Sequence, residues 1–278
     1  MTINRSHIFQ AFKYAVYAFL AINIFVFYAE ESAAAKLQFS GGVALADMIE
    51  AYAATIDTAA WVVLLLMFEL ETFILEDHHF TRPVTLSLQL VRIVCYVLII
   101  YSFYGYIINL TFLDGMRSLS DVNNLCALAG DWSYGVDLDE YVAINTANCG
   151  AFSSATSFYQ FPGMHAVVDA QGLTDIQRLA WVDVINSGVW LLVVLLLEVD
   201  VRLQERNRYE GIALRVSNAL KIILYSILFL AAVYWGFKGD FVDFWDAFLW
   251  LVAFFFIELN VVEWRKESHE TASEVARA

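Results

Sequence analysis

One polar pattern, written three times inside apolar segments, constrains this chain more than any other feature. It reads WVVLLLMFELE at 61–71, WLLVVLLLEVD at 190–200 and WLVAFFFIELN at 250–260. In each, a Trp is followed by seven apolar residues, a Glu, and a second polar residue two positions later. Trp61, Trp190 and Trp250 therefore share a register with Glu69, Glu198 and Glu258, and with Glu71, Asp200 and Asn260. Four residues before each Trp stand Asp57, Asn186 and Asp246.

The apolar segment that precedes each copy carries a second signature, [Gln/Asn]-x2-[Lys/Arg]-x3-Tyr. It is Gln10, Lys13, Tyr17, then Gln89, Arg92, Tyr96, then Asn218, Lys221, Tyr225. Two signatures in fixed order, each recurring without gaps, imply one supersecondary unit used three times. The unit is a pair of helices.

The medium follows from composition. Of the 278 residues 60% are hydrophobic, and only Pro83 and Pro162 interrupt as prolines. Apolar runs of this length predict six membrane-spanning helices, at about 8–29, 52–76, 87–112, 178–203, 213–237 and 241–264. The net charge of −14 excludes a nucleic-acid-binding surface, which would be basic. The bases cluster instead at one end of the six helices, among them Arg5, Arg82, Arg202, Arg206, Arg208, Arg265 and Lys266. By the positive-inside rule both termini are cytoplasmic. A multi-pass protein of a bacterial inner membrane is the expectation.

The expected fold class is thus an all-α integral membrane protein of three repeated helix hairpins in a pseudo-threefold arrangement. Hairpin one takes residues 1–76, hairpin two 77–112 and 177–205, and hairpin three 206–267, with a cytoplasmic tail at 268–278. An extracytoplasmic cap, 113–176, is inserted between the third and fourth helices. An oxidising outer compartment predicts a disulfide between its Cys126 and Cys149. The outer turn of the third hairpin, GFKGDF, is expected to be tight. The inner loop EDHHFTRP reads as a polar connection in which His78 and His79 do not make a metal site.

Depth decides what the repeated polar residues can do. Asp57 and Glu69 are twelve residues apart, about 18 Å of helix against a hydrocarbon layer of about 30 Å. At least one acidic layer therefore lies inside the membrane. Lys13, Arg92 and Lys221 fall at the depth of Glu69, Glu198 and Glu258, so three equivalent ion pairs are expected at one inner level. Gln10, Gln89 and Asn218, with Tyr17, Tyr96 and Tyr225, share the face of those bases and would point inward to support the carboxylates. Glu71 and Asp200 lack a repeated base, which suits them to titrate or to bind a cation.

Two functions lead at this point, with a membrane enzyme as a third. One is a transporter or channel for a cation or protons, with Asp57 and Asp246 as an outer acidic layer and the deeper acids as a gate. The other is a scaffold or accessory subunit whose ion pairs are structural and whose cap binds a partner. The Trp residues have a plain reading as an aromatic belt. The partners implied are the lipid bilayer, the transported cation or protons, and a second copy of the chain or another membrane protein. No nucleophile–base pair, His-rich set or phosphate loop names a reaction, and the sequence specifies neither a cofactor nor a metal.

Overall fold

A computed structural model describes residues 5–39, 41–71, 75, 81–120, 122–153, 155–205 and 211–256. Long helices dominate it: α1 (Arg5–Gln38), α3 (Ala53–Glu69), α4 (Arg82–Phe112), α6 (Ala170–Glu205) and α7 (Ile212–Lys238). A final helix, α8, is described from 241 to 256. The short helix α2 (Met48–Ala51) leads into α3 through Tyr52, whose backbone is non-helical.

Among the described residues four helices are long and apolar enough to cross a membrane: Phe9–Gln38, Arg82–Gly115, Ala170–Leu203 and Ile212–Lys238. The other two of the six expected spans are α3, 17 residues long, and α8, whose expected continuation lies outside the described residues. The surface is apolar where a water-soluble protein would be polar. Phe25, Val97, Ile100, Leu195 and Ile222 are exposed, whereas Lys13, Asn23, Glu31, Glu69 and Asp200 are buried. That inversion is the signature of a membrane protein.

Helix α1 runs nine residues beyond its expected end, and α6 starts eight residues before its expected start. Their 34 and 36 residues measure roughly 50 Å, well over the apolar thickness of a bilayer. The chain divides into two compact units, residues 1–23 with 207–278, and residues 24–206.

In the first unit, α1 meets α8 through Phe9 on Phe256 and Phe19 on Trp245, with ring centroids 4.9 and 5.9 Å apart. The turn from α7 to α8 is as tight as the sequence suggests. Gly239 takes φ 88° just past α7, and the Asp240 carboxylate accepts the Asp243 N–H to open α8. A left-handed residue is cheapest there as glycine. In the second unit α3 packs on α4, and α4 on α6.

The cap corrects the all-α expectation. Residues between α4 and α6 form a five-stranded sheet of order β1-β4-β5-β2-β3. Its strands are β1 (Arg117–Leu119), β2 (Ser133–Gly135), β3 (Tyr141–Ala143), β4 (Phe158–Gln160) and β5 (Ala166–Asp169), with a short helix α5 (Cys149–Phe152). The β2–β5 pair is parallel and the other three pairs are antiparallel. Strands of three or four residues are too short to display an alternation, so the sequence conceals them. Pro162-Gly163 turns β4 into β5, with Gly163 at φ 71°, as a turn with proline second and glycine third requires. Phe158, Phe161, Val167 and Val168 are fully buried; Val167 and Val168 are neighbours on β5, so the sheet is covered on both faces there.

Two links hold the cap. Cys126 and Cys149 are disulfide-bonded, Cα atoms 5.0 Å apart, as expected. Asp169, at the end of β5, accepts the Gly172 N–H at 2.7 Å and the Ser153 hydroxyl. It thereby caps α6 and ties it to the sheet. A Cβ on Gly172 would fall 2.5 Å from Val168 and 3.1 Å from the Tyr134 hydroxyl, so only glycine admits this approach.

Replacing both Cys126 and Cys149 by Ser should cost the cap roughly 3 kcal/mol, the chain-entropy value for a loop of this size. Limited proteolysis of the cap under reducing and non-reducing conditions measures it. A pH dependence follows from the buried phenols. Burial, with the Asp169 charge beside it, pushes Tyr134 up to about 12, and burial also raises Tyr141. A phenol whose folded pKa is raised lends stability that is full below its ordinary value near 10. That stability is lost as pH climbs through the folded value. A spectrophotometric titration should show these two tyrosines ionising last, together with loss of the cap.

Candidate functional site

Among the described residues, polar side chains gather at several places within the helices. At the cap end of the second unit, Glu31 of α1 is buried and accepts the backbone N–H groups of Ala54 and Thr55 at 2.7 and 3.0 Å. It also accepts the Thr55 hydroxyl at 2.5 Å. Ala54 and Thr55 are in the first turn of α3, where N–H groups have no partner inside the helix, so Glu31 caps α3 from a neighbouring helix. Asp57 follows on α3, partly buried, one turn before Trp61.

Trp61 of α3 and Trp190 of α6 are both buried, with ring centroids 6.1 Å apart. Trp250 is buried as well. The aromatic-belt reading of the three tryptophans therefore fails, since a belt exposes its rings to the lipid interface. Asn186, which shares the register of Asp57, has a buried Oδ1 with no hydrogen-bond partner among the described residues.

At the far end of the second unit the expected pairing changes. Both guanidinium contacts of Arg92 go to Glu71, its Nη2 lying 2.9 and 2.7 Å from the two carboxylate oxygens. Glu198, the partner expected for Arg92, is half exposed and meets Arg202 one turn along α6 at 3.0 Å. The reason lies at the end of α3. The backbone at 70–71 leaves the α-helical pattern for a wider turn, which carries Glu71 toward α4. Glu71 is thus a paired acid, contrary to the expectation that it lacks a base. Glu69 and Asp200 are buried, 4% and 3% exposed.

The first unit holds the rest. Lys13 is buried, its Nζ 5.0 Å from the centre of the Tyr14 ring and 6.0 Å from that of Tyr17. Attraction between ammonium and ring faces offsets part of the cost of burying a charge. Ten residues along α1, the Asn23 amide donates to Asp246 at 2.7 Å, and the Trp250 indole donates to the same carboxylate. On α7, Asn218, Lys221 and Tyr225 line an open groove with Ile222, Phe229 and Leu230.

Gln10, Gln89 and Asn218 are exposed, so the leading residue of each signature does not point inward. They stand within about two turns of their helix starts, where packing neighbours thin out. Glu258, Asn260, His78 and His79 lie outside the described residues.

Sequence reasoning missed Glu31 and Asn23. Glu31 stands where helix one was expected to end, yet the stretch EESAAAKLQ is built of strong helix formers and continues the helix. Asn23 carries no repeated register, and only its contact with Asp246 marks it. Compared with family models, curated proteins and solved structures, the chain matches none.

The exchange of partners can be measured directly. A double-mutant cycle of Arg92→Met with Glu71→Gln should return a coupling of about 1 kcal/mol, the scale of a pair still partly open to solvent. The corresponding cycle of Arg92→Met with Glu198→Gln should be additive. Chemical unfolding in detergent provides the free energies.

Proposed function

We propose that this protein is a multi-pass transporter or channel that carries protons or a hard cation past carboxylates held inside the membrane. The observation that carries this reading is the burial of Glu69 and Asp200 in helices whose outer faces are apolar. Ionisable groups at such positions are costly and usually mark ion or proton pathways. Asp57 and Asp246 lie further along the same register, toward the opposite helix ends, so acids recur along the direction of transport. Glu71 serves as the fixed partner of Arg92 and not as a carrier. The reading keeps six spans as three related hairpins, with both termini cytoplasmic in a bacterial inner membrane and the cap outside. A second copy of the chain or another membrane protein completes the assembly.

The scaffold reading draws on different observations. The Arg92–Glu71 ion pair and the disulfide-closed cap are what a structural subunit with an outer docking domain would contain. Flux separates the two readings.

Purified protein in sealed vesicles with an internal pH dye should admit protons, or a hard cation, when a membrane potential is applied. Glu69→Gln and Asp200→Asn should each lower that flux by roughly tenfold or more, since each removes an intramembrane carrier. Glu198→Gln, at an exposed position, should leave it near the unaltered level. Absence of flux for protons and every hard cation tested, from folded protein, would select the scaffold.

A further inference from the structure

We propose that Asp246 is a proton-exchanging group rather than a ligand for a metal cation. This rests on the transport reading and chooses between its two kinds of cargo.

The geometry around the carboxylate is selective. Its two hydrogen-bond partners are the Asn23 amide, 2.7 Å away, and the Trp250 indole. Both present N–H hydrogens to it. A hard cation needs a shell of about six oxygens, and hydrogens aimed at the carboxylate repel it. A proton needs only one carboxylate oxygen. Asn23 is 4% exposed and Trp250 6%, so both donors lie in the packed interior.

Neither partner is charged, so among the described residues no cation lies at hydrogen-bond range of the ionised carboxylate. Arg92 supplies that charge to Glu71; among the described residues no hydrogen bond or ion pair brings one to Asp246. Of the titratable groups on the elements packed against it, Asp243 and Asp240 are acids on or at the start of its own helix. On α1, Lys13 is ten residues from Asn23, about 15 Å along the axis, and its ammonium faces the Tyr14 and Tyr17 rings. On α7, the Lys238 ammonium lies over Tyr234.

The carboxylate can change state without rebuilding its surroundings. Ionised, it accepts both N–H groups. Protonated, its O–H needs an acceptor, and rotation of the Asn23 amide turns Oδ1 toward it. A neutral amide that can serve as donor or acceptor suits a carboxyl that gains and loses one proton. The same register holds Asp57 and Asn186 in the other two segments. Only two of the three positions can therefore titrate.

Dicyclohexylcarbodiimide, an apolar reagent for protonated carboxyls, tests this on the full chain in membranes, with peptide mass spectrometry as the readout. Asp246 should be modified, and modification should fall as pH rises from mildly acidic to alkaline. Glu71, whose two carboxylate oxygens are engaged by Arg92, should stay unmodified. Sodium, potassium or calcium at millimolar levels should give no protection. Asn23→Ala should shift the pH at which labelling falls, and Asp246→Asn, which keeps side-chain volume and one accepting oxygen, should fold and carry no label at that peptide. Protection by any of the three cations would make Asp246 a cation ligand and overturn the proposal. Absence of label at every pH while other carboxyls react would also overturn it. Label with the expected pH dependence but no flux in vesicles would leave the proton site standing and reject transport.

Discussion

An ionisable side chain inside an apolar helical layer must be paired, solvated or neutralised, because its charge has no other stable state there. This chain places several such groups in its helices, and the remaining structure can be understood through how each is accommodated. Arg92 and Glu71 pair with each other. Glu31 takes hydrogen bonds from the open end of α3. Lys13 lies against tyrosine rings. Asp246 has two neutral donors. These solutions differ in how firmly they hold the charge, the ion pair more firmly than neutral donors.

The strongest structural use of a carboxylate is the one least like an ion pathway. Glu31 satisfies two backbone N–H groups and a hydroxyl at the start of α3. An unsatisfied buried donor costs about 1–3 kcal/mol, so this side chain determines where α3 begins and how it meets α1. Trp61 and Trp190 then pack together a few turns on. Position along the helix axis is set at one end by polar contacts and continued by aromatic packing.

The cap solves a separate problem. Between two long helices the chain must fold a small domain with its own core, and strands of three or four residues contribute little alone. The disulfide limits the unfolded chain, while Asp169 ties the last strand to α6. The same carboxylate sits beside the buried Tyr134 hydroxyl, so sheet and helix share one polar joint.

Length, hydropathy and periodic polar residues were enough to determine the membrane class, the long helices, the tight GFKGDF turn and the Cys126–Cys149 bond, because each depends on local composition or on a small set of partners. The sheet was not legible, since strands this short show no period. Nor was the pairing of Arg92: equal depth and the repeat register pointed to Glu198 and left Glu71 without a base. Only the widened turn at 70–71, a local departure in backbone geometry, brings Glu71 across to α4. The role of Asn23 was hidden for a related reason. A side chain outside any repeat acquires meaning only from the neighbour that packing gives it, and that neighbour, Asp246, is more than two hundred residues away. Sequence determines which groups need a partner; the tertiary structure decides which partner arrives.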